Sequence, residues 1–298
     1  MTKLISLVMV MLFSMTGCTS ETTEAEQSSP PVSTAETISQ TENVQEEGLN
    51  TMENGITLTL KETYEGFQSP TGIVVDNDGN LYVSNWSGST VTKVDAEGNH
   101  SVFVDEMGSP AGLGFDEIGN LYISDYSKDV IYKVTPDGKR SIFAQGFHTP
   151  TGIAFNKTGK LLVTNRGSNE IVKVDASGNV ELVADGMRTP VGVVEDIDGN
   201  LYVTNYGGGI IKVATDGTTN TISDEFGCPG VGIDISGQNI IFVADNGDGC
   251  VRTLAPDGTT EIVVENISGC VVVLVHADTL YVGSWSEGAV YAYSIEPK

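Results

Sequence analysis

The sequence repeats itself every 40 residues, and that period constrains the fold more than any other feature. Ser69-Pro70-Thr71-Gly72 returns as Ser109-Pro110-Ala111-Gly112, Thr149-Pro150-Thr151-Gly152 and Thr189-Pro190-Val191-Gly192. Cys228-Pro229-Gly230-Val231-Gly232 is a distorted fifth copy, and Gly269-Cys270-Val271 holds the sixth place. A second marker keeps step, from Leu81-Tyr82-Val83-Ser84-Asn85 to Leu280-Tyr281-Val282-Gly283-Ser284. Each unit holds four short runs of β-branched and aromatic residues, bounded by turns such as Asp78-Gly79-Asn80 and Asp137-Gly138. Glycine there accepts the positive φ that hairpin turns require. Four strands per forty residues is one propeller blade. The predicted fold is therefore all-β, a six-bladed β-propeller with four-stranded blades. The chain ends before the sixth unit can make its fourth strand. The run Ile56–Glu62 ahead of the first unit is predicted to supply it, closing the ring and removing a free edge.

The residues before the repeats read differently. Lys3 precedes an apolar run, Leu4 to Met15, too short to span a bilayer as a helix. It ends in small residues, as a secretory signal peptide does. Met15-Thr16-Gly17-Cys18 resembles a bacterial lipobox, which implies lipidation of Cys18 and a membrane anchor. The following stretch to Asn50 carries seven Glu, no Lys or Arg and no aromatic residue. Such a segment cannot bury enough apolar surface to offset its chain entropy. The expected organisation is a signal peptide over 1–17, a lipidated Cys and acidic linker over 18–54, and a propeller over 55–298. The expected location is the cell envelope: the periplasmic face of the outer membrane in a Gram-negative cell, otherwise the outer face of the plasma membrane. The formal charge of −25 excludes nucleic acid as a partner, because binding phosphates needs a surplus of Lys and Arg. A monomer is expected.

Strand direction places the loops between second and third strands, and those leading into each blade, on one face. Trp86, Tyr126, Arg166, Tyr206, Asn246 and Trp285 occupy the first kind of loop; Gln68, Gly108, His148, Arg188, Cys228 and Ser268 the second. A concave mouth lined by these two rings is predicted. Aromatics at one repeated slot suit stacking on a sugar, a lactone or another flat ligand, or else they cover seams between blades. His148, Arg166 and Arg188 fall together around blades three and four, in a chain with only four Arg and three His. They suit a carboxylate or phosphate, against the competing reading of pairing with acids such as Glu170 or Asp185. The ring of Asn85, Asp125, Asn165, Asn205, Asp245 and Ser284 is expected to hydrogen-bond its own loops. Cys228 and Cys250, both in blade five, are the expected disulfide, with three buried thiols as the alternative.

The repeated pattern Pro-x-Gly-Ile…Asp-Gly-Asn-Leu-Tyr-Val-(Ser/Thr)-(Asn/Asp)…Ile-x-Lys-Val resembles the NHL-repeat propellers. It also resembles the gluconolactonase family (senescence-marker, luciferin-regenerating) and the virginiamycin B lyase family. The gluconolactonase resemblance implies a divalent metal held by a Glu two residues before the first Pro and by Asn or Asp in the x slots. Those positions here are Gln68 and Thr71, Ala111, Thr151, Val191, Val231 and Cys270. None offers the charged oxygen a hard metal prefers. The lyase resemblance implies a metal and a catalytic His on the loop face, where His148 stands alone, because His100 and His276 map to the other face. No cofactor is predicted, with calcium or zinc left open, and binding is expected ahead of catalysis. The expected partner is a small molecule, a glycan or a protein. A lactonase-like hydrolase or lyase with a non-standard site, or a scaffold for a membrane complex, are the alternatives.

Overall fold

The computed structural model describes residues 50–51 and 55–297, so the signal peptide, Cys18 and nearly all of the linker lie outside the described residues. Six antiparallel sheets form the ring of a six-bladed β-propeller. Blade one is built from Pro70–Val75, Leu81–Asn85, Thr90–Val94 and His100–Val104. Blades two to five repeat this order. Blade six takes three strands from the end of the chain, Cys270–His276, Thr279–Ser284 and Ala289–Pro297. Its fourth is Ile56–Glu65, antiparallel to Ala289–Pro297, so the predicted closure is present. Among the described residues the helical content is one 3-10 turn, Arg166–Ser168.

The repeated glycine of Pro-x-Gly has a steric cause. First strands of neighbouring blades approach so closely that a Cβ on Gly72 would lie 2.2 Å from the Ala111 carbonyl oxygen, and one on Gly192 2.2 Å from that of Val231. No real side chain sits at that distance, so these glycines cannot be replaced without moving a strand; blade six carries Val272 in the slot, with Gly283 opposite it. The hydroxyl that follows in the second strand ties the same seam together. Ser84 Oγ donates to the Ala111 carbonyl at 2.6 Å and Thr204 Oγ1 to that of Gly230 at 2.9 Å, both fully buried. Farther out, the seams fill with side chains from two blades. Tyr82 meets Phe103 and Phe115 edge to face at 5.0 and 5.2 Å, and Tyr122 meets Phe143 and Phe155 in the same way one blade on. Such pairs add about 0.5–1.5 kcal/mol each beyond area burial.

Candidate functional site

Each second strand ends in a short polar side chain that shapes the loop face. Asn85 Oδ1 accepts the Gln68 N–H at 3.0 Å, Asn165 Oδ1 that of His148 at 2.7 Å, and Asn205 Oδ1 that of Arg188 at 2.9 Å. Asp125 and Asp245 each accept two N–H groups from the loop leading into their own blade. Ser284 Oγ donates to the Ser268 carbonyl at 2.6 Å. The ring is buried and its side chains are engaged with loop backbone. These bonds fix where the next residue in each blade emerges.

That next residue is Trp285, Trp86, Tyr126, Arg166 or Tyr206 in blades six, one, two, three and four, and the five form one arc. Trp285 and Trp86 lie with ring centroids 5.8 Å apart, and Trp86 and Tyr126 at 4.6 Å. Arg166 donates from Nη1 to the Tyr126 hydroxyl at 3.0 Å. Its guanidinium sits 5.6 Å from the Tyr126 centroid and 5.5 Å from that of Tyr206. Cation–π contacts of this kind are worth about 0.5–2 kcal/mol each. All five are half-buried, with part of each surface open to solvent. Blade five breaks the arc with Asn246.

The competing reading of acid pairing is not what the structure contains. Among the described residues no ion pair includes His148, Arg166 or Arg188. Glu170 accepts Ser168 Oγ at 2.5 Å and Asn165 Nδ2 at 3.3 Å. His148 and Arg188 share the face but not the cluster. Both are exposed, and Arg188 turns Nη2 to the Gly207 carbonyl at 3.2 Å. One cavity, about 430 Å³, is the central channel, lined by first strands and by none of the seven proposed residues. The rings meet at a tilt, with interplanar angles of 54° and 55°, and Arg166 continues the row.

Blade five differs in two ways that sequence reasoning missed. Arg252 places Nε 3.2 Å from Asp245 Oδ2 and Nη2 2.5 Å from Asp248 Oδ2. Asp245, Asp248 and Cys250 bring ligand atoms within 4.8 Å of one another, but the guanidinium already supplies the positive charge there. The signal was available: Arg252 stands at a third-strand slot held by Thr92, Tyr132, Val172, Ile211 and Tyr291 elsewhere. The Cys228–Cys250 bridge is not formed. Cys228 Sγ faces the Tyr206 carbonyl at 3.4 Å, whereas Cys250 faces the two aspartates. Cys228, Cys250 and Cys270 are all buried thiols, and burial pushes Cys250 up to about 11. The x-slot residues Thr71, Ala111, Thr151 and Val191 are buried, as is Cys270, which its pairing with Ser284 puts in the proline place rather than the x slot.

No family model matches the chain, and no curated protein matches it. Solved structures do. The virginiamycin B lyase of Staphylococcus aureus superposes with a TM-score of 0.63 at 14% identity, covering 80% of this chain and 99% of that one. A gluconolactonase of Xanthomonas campestris gives 0.71 at 14% identity, covering 81% and 90%. A chain of a nidogen/laminin complex gives 0.65 at 20% identity, covering 72% and 88%. At these identities the likeness establishes the six-bladed propeller and nothing finer.

Proposed function

We propose that this chain is an envelope lipoprotein, anchored through Cys18, whose propeller binds a small anionic ligand with a flat apolar body on the loop face. The observation that carries the reading is Arg166, held between Tyr126 and Tyr206 with no acidic partner within ion-pair distance. In a chain of net charge −25, a guanidinium kept clear of carboxylates is a counter-charge for something else. Trp285, Trp86 and Tyr126 extend beside it as a platform for stacking. His148 and Arg188 stand on the same face as an outer ring of positive or hydrogen-bonding groups. A glycan would use the platform and a protein partner the whole face, but neither explains the isolated Arg166 as directly.

The chain carries its own reporter, because its only two tryptophans are Trp86 and Trp285. Titrating the full chain with an aryl carboxylate that has no indole ring, such as benzoate, is expected to change tryptophan emission saturably. Arg166→Gln is expected to weaken that binding about tenfold or more, the scale of a charge-assisted hydrogen bond. An emission change that is equal in Arg166→Gln, or absent, would overturn the reading. A second reading, a hydrolase or lyase with a non-standard site, is supported by the gluconolactonase and lyase neighbours. Turnover of a lactone panel, abolished by Arg166→Gln or by substitution of His148, would favour it.

A further inference from the structure

The central channel has a chemistry of its own, separate from the aromatic arc. Its walls are first strands from all six blades, with Leu113, Phe115, Ile153 and Phe155 among the apolar side chains. One slot can be followed around the ring by its pairing with the second strand. It holds Val74, Gly114, Ala154, Val194 and Leu274 in five blades, and Asp234 in blade five. The repeat is thus its own control. Five blades show that an apolar or absent side chain suffices for the fold, and one blade places a carboxylate there.

Asp234 lines the channel and bridges two blades. Its Oδ1 accepts the Ile235 N–H at 2.8 Å, and its Oδ2 accepts the Val275 N–H of blade six at 2.7 Å. A carboxylate has roughly four acceptor positions, so about half remain open. Among the described residues no ion pair includes Asp234. Burial without a counter-charge pushes its carboxyl up to about 6, which leaves it an anion at neutral pH. The other charged groups that line the channel are Lys157 and Glu195. Lys157 Nζ donates to the Ile197 carbonyl, and Glu195 Oε2 accepts the Lys157 backbone N–H at 2.8 Å. His276, exposed, ends the strand that carries Val275.

We infer that the central channel is a second binding site, for a small organic cation, with an ammonium group against Asp234 and an apolar body along the channel walls. A hard metal ion needs several oxygen ligands, and among the described residues Asp234 belongs to no cluster of three or more ligating side chains. The cavity, about 430 Å³, is within the range of small-molecule sites. The negative field of the protein concentrates cations at its surface.

The test compares n-hexylamine with 1-hexanol, which has nearly the same shape and no charge, by calorimetry on the full chain at neutral pH. Hexylammonium is expected to bind saturably at one site, and hexanol about tenfold more weakly or worse. Asp234→Asn is expected to bring the two together, while Glu195→Gln leaves the difference intact. Tryptophan emission is expected to stay constant, because both tryptophans belong to the loop-face arc. Equal binding of amine and alcohol, an amine affinity unchanged by Asp234→Asn, a coincident change in tryptophan emission, or no heat up to about 10 mM amine would each overturn the site. If Asp234→Asn does not fold, the amine and alcohol comparison on the unaltered chain still decides. Failure of the aryl carboxylate experiment leaves this one untouched.

Discussion

Asp245 is fully buried, and the groups around it show how a single residue can depart from its repeat. In blade three the same two positions are Asn165 and Val172, an uncharged pair that keeps the loop bond to His148. In blade five they are Asp245 and Arg252, with Asp248 as a second acid. A buried pair of this kind returns little net stability, but removing one partner strands the other charge, at a cost of about 3–5 kcal/mol. Arg252→Val is therefore expected to destabilise the chain by about 3 kcal/mol in urea unfolding. Adding Asp245→Asn, which recreates blade three, is expected to recover most of that loss. A double variant as unstable as the single would show that Arg252 acts through packing on Phe226, 5.9 Å from its guanidinium, rather than through charge.

At the scale of the element, the inner strands are fixed by backbone approach rather than by side chains. Gly72→Ala would put a methyl group 2.2 Å from the Ala111 carbonyl oxygen, and neither strand can retreat without opening a seam. The expected cost is about 3 kcal/mol, the upper end for overpacked interiors, read as a fall in denaturant midpoint. By contrast, alanine at Gly114 would meet nothing closer than Phe155 at 3.7 Å, and a change below about 1 kcal/mol is expected. The sequence carried the element pattern almost entirely, because blades are local in sequence and their turns recur with the period. It also marked the loop slot that supplies the aromatic arc. Two things were beyond its reach. The packing of Trp285, Trp86, Tyr126, Arg166 and Tyr206 into one arc depends on rotamers set across blades, so the same spacing also fits a ring around an open mouth. Asp234 and Arg252 were visible as departures from uncharged slots, yet they sit within strands, where the repeat draws attention to turns and loops instead.

At the scale of the molecule, the ring is held shut by one strand from the other end of the chain. Ile56–Glu65 is the fourth strand of blade six, flanked farther out by the two residues Asn50–Thr51, and Ile56 and Leu58 are buried in the cluster that joins blades five and six. Without it, Ala289–Pro297 would present a bare edge, and the buried faces of Ile295 and Val290 would lose their cover. Burial of Ile56 and Leu58 alone is worth about 2–5 kcal/mol each, a large share of the net stability of an ordinary domain. A chain beginning at residue 66 is therefore expected to melt well below the full chain, and to self-associate through the open edge. The stronger expectation is rescue. A synthetic peptide of residues 55–65 should dock as the missing antiparallel strand and restore the melting temperature in proportion to its occupancy. A peptide in which Ile56 and Leu58 are both Asp should not, since it keeps the backbone bonds and places charge in the core. If the shortened chain melts at the temperature of the full one, closure rests on the seams between blades, and the N-terminal strand is only a cover.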